Sequence, residues 1–573
     1  MKRFLFAILI LTILEALTSR CANPKTPTGG PKDTIPPSLI SSNPKSQSIN
    51  FKDQTFELTF DERVNADKLK SNLIITPTTE ITYKTLIKKN VLTIQLDEPL
   101  DDSTTYTFNF FDGVTDITER NPAENLVIAF STGSFIDSIS ISGSVYDINN
   151  AKQLSGITIG LYQNTDTLDF KEVKPNYFIT SNDEGTFQIQ NIKSNQYRLL
   201  AFKDENKNLL FDPTTEEHGF ITDLMTIDSS NIDSLRIPIL KLDVSEFKLL
   251  SGRPSAHYFD IRYSKVIQDY NITSETNLPV YTELTPDRDA IRVYKNNMLS
   301  DSTQLIIQAT DTLSVVQIDT LYAKYRESSK KLNPLGITLS STTVNNYFED
   351  SQFTLSLTKP IQNIVDSSFL FCFVDSLITF DLPVINLQSN ANQSRFTFNS
   401  TISTTQLQDS IALYLNTHPI DTTDIDTAQL IINKRLERYN TSAFNLIVKP
   451  GSFISVESDT SEQTQSIFKF PNPENFGTVT VSITDPLPSY TVQLMAGDKI
   501  KKQLTNCTNC IFDFTPPGNY WTRVLIDENQ DSIWSPGNIN LNVAPEPVLH
   551  FLEETTLRAN WEVELEYSLL TTD

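Results

Sequence analysis

Two short stretches set oxygen-bearing side chains at the spacing by which a loop wraps a hard cation. Asp204-Glu205-Asn206-Lys207-Asn208 and Asp527-Glu528-Asn529-Gln530-Asp531 place carboxylate or amide oxygens at positions one, three and five, and Leu210 or Ile533 stands where a backbone carbonyl is a further ligand. Calcium takes roughly six to eight such oxygens, and its usual loop adds glycine at position six and a bidentate glutamate at position twelve. Those positions hold Leu209 and Thr215 in the first stretch, Ser532 and Asn538 in the second. Asp212, Glu216 and Glu217 stand near enough in the first stretch to compensate, whereas the second shows no substitute. Asp204, Asn206, Asn208 and Asp212 are therefore the stronger set of candidate calcium ligands, and Asp527, Asn529 and Asp531 the weaker. The competing reading is that Asp and Asn make Asx turns that pin hairpins. Calcium is the one cofactor these residues suggest.

Cys507-Thr508-Asn509-Cys510 is the second constellation. A straight strand would hold the two α-carbons roughly 10 Å apart, beyond bridging distance. Thr-Asn favours a turn, so in an oxidising compartment the pair is expected to close a small disulfide. Zinc would need two more ligands, and His218, His257, His418 and His550 are scattered without ligand spacing. Cys372, between Phe371 and Phe373, reads as core. No H-E-x-x-H, G-x-S-x-G or phosphate-binding glycine loop occurs, and with 16 glycines in 573 residues few loops can bring backbone close to a ligand. A non-enzymatic protein is expected. A glycosidase is the enzymatic alternative, because its two carboxylates need not be near each other in sequence.

The elements that carry these loops are strands. Thr, Ser, Ile, Val, Phe and Tyr recur in short alternating runs punctuated by Asn, Asp, Pro and Gly, which predicts an all-β chain. Phe56 to Phe60, Val91 to Leu96 and Tyr106 to Phe110 each place alternate side chains on one face, as a half-buried sandwich strand requires. Helix is expected only locally, near Ala66 to Ser71 and Thr427 to Arg438. The chain is too long for one core. At about 150 residues per domain it predicts roughly four domains, and more if they are small sandwiches. Its 46 basic and 70 acidic residues leave a net charge of −24, which argues against nucleic acid and anionic headgroups as direct partners.

Repeats subdivide the chain. Asp33-Thr34-Ile35-Pro36-Pro37, the strand Phe56 to Phe60 with Glu62 and Val64 after it, Ile74-Ile75-Thr76-Pro77, Thr105-Tyr106-Thr107, Asp116, Asn121-Pro122 and Phe130-Ser131-Thr132-Gly133 resemble the Ig-like domain of bacterial surface-layer proteins, the SbsA-type or Big domain, over 38–134. Gly143, Val145 and Asp147, then Leu154 to Ile159, Asp183 to Phe187 and Tyr197 to Leu200, resemble a carboxypeptidase-regulatory, transthyretin-like sandwich over 135–243. A second copy is expected over 466–573. Tyr197 and Tyr520 each precede their acidic loop by seven residues, and Phe211 and Trp534 follow the leading Asp by seven. Asn195 and Gly518, two residues before each tyrosine, are expected to turn through positive φ. Tyr258 to Tyr263 and Phe353 to Leu357 echo the Phe56 to Phe60 strand, so two divergent Ig-like units are read at 244–335 and 336–465.

The amino terminus supplies an address. Lys2 and Arg3, an apolar stretch from Phe4 to Leu17 and then Cys21 form a secretory signal over 1–20, too short to span a membrane. Leu17-Thr18-Ser19-Arg20-Cys21 resembles a lipobox, with Arg20 departing from the small residue usual there. The resemblance implies acylation of Cys21, and Ala22 to Pro37 form a tether rich in Pro, Gly and Thr. With Cys21-Ala22-Asn23-Pro24 the start of the chain resembles a lipoprotein family of Bacteroidota, which implies an outer-membrane anchor facing the cell surface or the periplasm. Asp-(Ser/Thr)-apolar triplets such as Asp137-Ser138-Ile139 and Asp319-Thr320-Leu321 resemble O-glycosylation acceptors of exported proteins of that group; the alternative is turn-to-strand junctions. The expected role is a scaffold or docking subunit of an envelope complex, with a β-barrel membrane protein as candidate partner. An adhesin or carbohydrate-binding protein is the alternative.

Overall fold

The computed structural model describes residues 32–570, apart from scattered short stretches between 229 and 472 and nearly all of 401–442. Cys21, its signal and tether up to 31, and all of the helix expected at Thr427 to Arg438 except Leu430 and Lys434, which are helical, lie outside the described residues, as does the side chain of Cys372. The chain is all-β, a tandem array of β-sandwich domains. Among the described residues five successive pairs of sheets follow one another along it, with two short two-stranded sheets besides.

In the first pair the sheet Leu39–Asn43, Thr55–Phe60, Val91–Leu96, Tyr83–Lys88 lies with the sheet Ile74–Thr76, Thr105–Asn109, Val127–Ser131. Alternation dictates the packing: Phe56, Leu58 and Phe60 are buried, as are Leu92, Ile94 and Leu96, and they join Phe108 and Phe130 in one core. Thr105–Asn109 departs from expectation, since both its faces are covered. Its outward threonines are taken up by the next segment of chain: Thr107 Oγ1 donates to Asn191 Oδ1 at 3.1 Å, and Thr105 Oγ1 accepts from Asp137 N at 2.9 Å. The expected local helix shrinks to one turn, Leu69–Asn72, with no side-chain cap at its start.

The same first-second-fourth-third strand order recurs twice, in Leu249–Pro254, Tyr258–Tyr263, Ala290–Tyr294, Thr282–Leu284 and in Ile337–Thr343, Ser351–Leu357, Arg395–Ser400, Ile385–Ser389. In all three sheets the residue four beyond the second strand pairs with a distant polar residue: Val64 with Asp116, Ile267 with Asp311, Ile361 with Ser455. In the latter two a lysine two residues beyond the strand is buried against acid. Lys265 Nζ lies 2.5 Å from Asp311, and Lys359 Nζ lies 2.6 Å from Glu457 and 3.0 Å from Asp459.

The acidic loops belong to the second and fifth pairs, whose topologies also match. A three-stranded sheet has its earliest strand in the centre, Ile139–Asp147 in one and Gly477–Ile483 in the other. A larger sheet carries Asn195–Phe202 or Gly518–Ile526, the strand that feeds the loop. Asn195 and Gly518 are extended, not left-handed, because each pairs in a ladder, with Ile227 and Leu557. The left-handed residue sits four positions earlier in both copies, at Asn191 (φ 59°) and Phe514 (φ 47°). The tyrosine that follows each closes the corner on the backbone four residues upstream, Tyr197 Oη donating to Lys193 O at 3.0 Å and Tyr520 Oη to Pro516 O at 2.7 Å.

By contact density the described chain divides into two compact units. One holds residues up to Ser144 with Ser155–Leu200 and Asp223–Arg236; the other holds Val145–Leu154, Ala201–Thr222 and everything from Ile237. Both acidic loops lie in the second unit.

Candidate functional site

In the first loop Asp204 caps its own turn, Oδ1 accepting from Asn208 N at 3.1 Å and Oδ2 from Leu209 N at 3.0 Å. Asn206 Oδ1 accepts from Asn208 N and Asn208 Oδ1 from Leu210 N, so each of the three oxygen-bearing side chains is turned back onto the backbone of its own loop. Position six lacks glycine yet takes glycine's conformation, Leu209 having φ 61°. Phe211 plugs the base of the loop against Phe202 and His218. Asp212 turns its carboxylate away to Thr214 N and Thr215 Oγ1, and the Thr214 N–H in particular holds it below the usual carboxylate range. Burial pushes the neighbouring His218 down.

Glu216 completes the loop. Only 2% exposed, it accepts from Asp212 N through Oε2 at 2.9 Å, while its Oε1 is buried with no hydrogen-bond partner. Burial, opposed by the Asp212 N–H and reinforced by the charge of Asp204, pushes this carboxyl up.

The second loop repeats the winding. Asp527 accepts from Asp531 N and Ser532 N, Asn529 from Asp531 N and Asp531 from Ile533 N, and Ser532 at position six has φ 71°. The Ser489 hydroxyl, 2.5 Å from Asp527, is the main cause holding that carboxyl low. A glutamate absent from the sequence pattern occupies the seat of Glu216. Glu546 reaches in from beyond the twelve-residue window, Oε1 accepting from Glu528 N and Asn529 N and Oε2 from Ser535 N at 2.7 Å. Glu546, unlike Glu216, is fully partnered by backbone N–H groups. Among the described residues no group of three or more His, Cys, Asp or Glu side chains is drawn together to hold a metal. A cation in either loop would thus draw on amide and main-chain oxygens as well as carboxylates.

Cys507 and Cys510 are joined by a disulfide, their α-carbons 5.2 Å apart. Asn506, with φ 52°, bends the chain there, and Cys510 is fully buried in the core of the fifth sheet pair.

Two surface features bear on association. Within the second unit, Gln493, Arg523 and His550 stand side by side across three strands and receive the turn at Ile148 and Asn149. Arg523 donates to Gln493 Oε1 at 2.7 Å and to Asn149 O at 2.8 Å, and His550 Nε2 lies 2.9 Å from Ile148 O. Farther along, Val316–Tyr322 is the terminal strand of its sheet, and among the described residues no strand pairs with its far side. Its outward face is apolar, with Ile318 66% and Tyr322 55% exposed beside Val316 and Ile306.

Fold and loops together define a modular β-sandwich chain. Residues 33–132 match the family model of a bacterial Ig-like domain. No curated protein matches the chain. Among solved structures, the N-terminal part of the bacterial S-layer protein SbsC is 14% identical, over 29% of this chain and 40% of that one, with a TM-score of 0.14. Domains 1–6 of SbsC align over 93% of this chain and 68% of theirs, at 12% identity and a TM-score of 0.14. The major pilin subunit BcpA of Bacillus cereus aligns over 75% and 99%, at 9% identity and a TM-score of 0.12. The chain thus spans well under half of the first of these structures.

Proposed function

We propose that this chain is a non-enzymatic docking subunit of a bacterial envelope complex, anchored to the outer membrane through an acylated Cys21. The observation that carries the reading is the Val316–Tyr322 edge. A terminal strand whose far side no strand pairs among the described residues, and whose outer face is apolar, invites pairing with another chain, and soluble proteins ordinarily blunt such edges with charge or proline. This one carries Val316, Ile318 and Tyr322 outward. The Ig-like match at the amino-terminal end supports a surface or scaffold role. In this reading 135–243 and 466–573 are carboxypeptidase-regulatory-like sandwiches, the chain is one of the Bacteroidota lipoproteins, and the partner is an envelope protein of the β-barrel kind. The hollows of about 290 Å³ at Ile361–Ile364 and about 180 Å³ at Thr76, Thr107 and Gln188 are lined by apolar, amide and hydroxyl side chains.

The test places a photo-crosslinking amino acid at Ile318 in the full-length protein and purifies it from detergent-solubilised membranes. The reading expects one discrete crosslinked partner, lost when the probe is moved to the buried Ile307. Recovery of no stable partner, or equal crosslinking from both positions, would overturn it.

A further inference from the structure

Glu216 poses a problem that the fold does not solve by itself. A carboxylate taken out of water needs donors for both oxygens or a counter-charge; the Oε1 of Glu216 has no hydrogen-bond partner, and the Glu205 N–H, which also acts to lower this carboxyl, falls short of a hydrogen bond to it. The charges that act on it, those of Asp204 and Asp212, are acidic as well. The matching position in the second loop shows what a purely structural solution looks like: Glu546 accepts from three backbone N–H groups. The two loops therefore share one backbone winding and differ in whether the acid at its centre is satisfied.

We propose that the Asp204 to Glu216 loop is a divalent-cation site of the calcium class, with Asp204, Asn206, Asn208 and Glu216 as side-chain ligands, and that the Asp527 loop is its cation-independent counterpart. Two carboxylates, two amide oxygens and the Leu210 carbonyl make the hard, all-oxygen, partly charged set that calcium favours. The orphaned Oε1 is the oxygen left over for the ion, since Oε2 is committed to Asp212 N. Asp212 is not a ligand; its carboxylate holds the turn through Thr214 and Thr215. Occupancy also fixes a joint. Pro213, inside the loop, accepts from Val244 N at 2.8 Å, and Val244 O accepts from Asn540 Nδ2 at 2.7 Å in the segment that leads to Glu546.

The experiment uses the full-length protein in detergent, stripped with EDTA and titrated with calcium chloride. Calorimetry reads binding, and hydrogen exchange reads the amides of Asn208 to Asp212. Wild type is expected to bind calcium and to slow exchange in that segment. Glu216→Gln, which keeps the shape and removes the charge, should weaken binding by about tenfold or more while exchange in the calcium-free state stays as slow as in wild type or becomes slower. Asp531→Asn in the other loop should change nothing. Absence of calcium binding by wild type, binding retained in Glu216→Gln, or equal loss in Asp531→Asn would each overturn the assignment.

Discussion

Replacing Arg523 by methionine tests whether the carboxyl-terminal sheet holds the 145–154 turn through specific bonds or through mere contact. Arg523 is 8% exposed, and burial lowers its pKa, with Asp147 opposing, so its guanidinium has already met most of its desolvation cost. Methionine keeps much of the packing but strands two acceptors, Gln493 Oε1 and Asn149 O. Hydrogen bonds to charged groups contribute about 1.5–3 kcal/mol each, and a buried acceptor left alone costs about 1–3 kcal/mol. Removing the buried guanidinium gives some of that back. A net loss of about 3 kcal/mol is expected at the joint, equivalent to about a hundredfold easier local opening. Lys152 is the control. Its ion pair with Asp498 joins two side chains that are each 67% exposed, so Lys152→Ala should cost at most a few tenths of a kcal/mol. Hydrogen exchange at Asp147 and Leu154, whose amides bond to Lys152 O and Val145 O, reads the difference. Exchange unchanged in Arg523→Met, or altered as much in Lys152→Ala, would refute the assignment of the joint to Arg523.

Other perturbations separate the remaining physical contributions. Lys265→Met leaves Asp311, fully buried, without its counter-charge and should cost about 3–5 kcal/mol, with most of the loss recovered in Lys265→Met/Asp311→Leu; urea unfolding of each variant measures it. Burial works to raise Asp116, but the N–H groups of Glu119 and Arg120 and the Asn121 side chain outweigh it and hold this carboxyl low. Asp459 is likewise held low, by Ser455 and Lys359 against burial. Because both folded values lie below the unfolded value of about 3.9, the unfolded chain binds more protons as acid is added. Their contribution is complete above about pH 4 and is lost as pH falls through the folded values; Asp116→Asn should flatten that slope in melts taken from pH 6 downward. Tyr197→Phe and Tyr520→Phe each remove one hydrogen bond to the corner four residues upstream and should each cost about 1 kcal/mol in denaturant titrations.

Strand content was legible because a half-buried strand writes a period of two into its residues: Phe56, Leu58 and Phe60 announce their face, and the structure buries them. The pattern misled where a second surface covers the polar face. Thr105 and Thr107 read as outward, yet both are buried because Asp137 and Asn191 bring partners to them, and nothing local to the strand encodes those partners. The left-handed corners were misplaced for a related reason. Asn195 and Gly518 have the freedom to take positive φ, but ladder pairing holds them extended, and the turn falls on Asn191 and on Phe514, a residue type that gives no local warning. Nothing local marks Lys265 and Lys359 as buried, because a lysine after a strand ordinarily reaches solvent. Their common offset from the Tyr258–Tyr263 and Ser351–Leu357 strands was the available signal.

The acidic loops show what spacing carries and where it stops. Positions one, three and five specify the winding, since each Asp or Asn oxygen binds an amide two to five residues on, and that local chemistry survives in both copies. Conformation at position six follows from the winding and not from residue type: Leu209 and Ser532 both adopt the left-handed geometry usually left to glycine, at a strain of about 1 kcal/mol or more. The closing acid is a tertiary feature. Glu216 arrives directly from the loop and brings an unpartnered oxygen with it, while Glu546 arrives after the Asn538–Val543 detour and meets Glu528, Asn529 and Ser535 N–H groups already in place. A cation can be demanded only where the backbone has left an acid unsatisfied, so the property that distinguishes the two loops resides in the route by which the glutamate arrives. The shared Asp-x-Asn-x-Asn/Asp spacing is blind to that route.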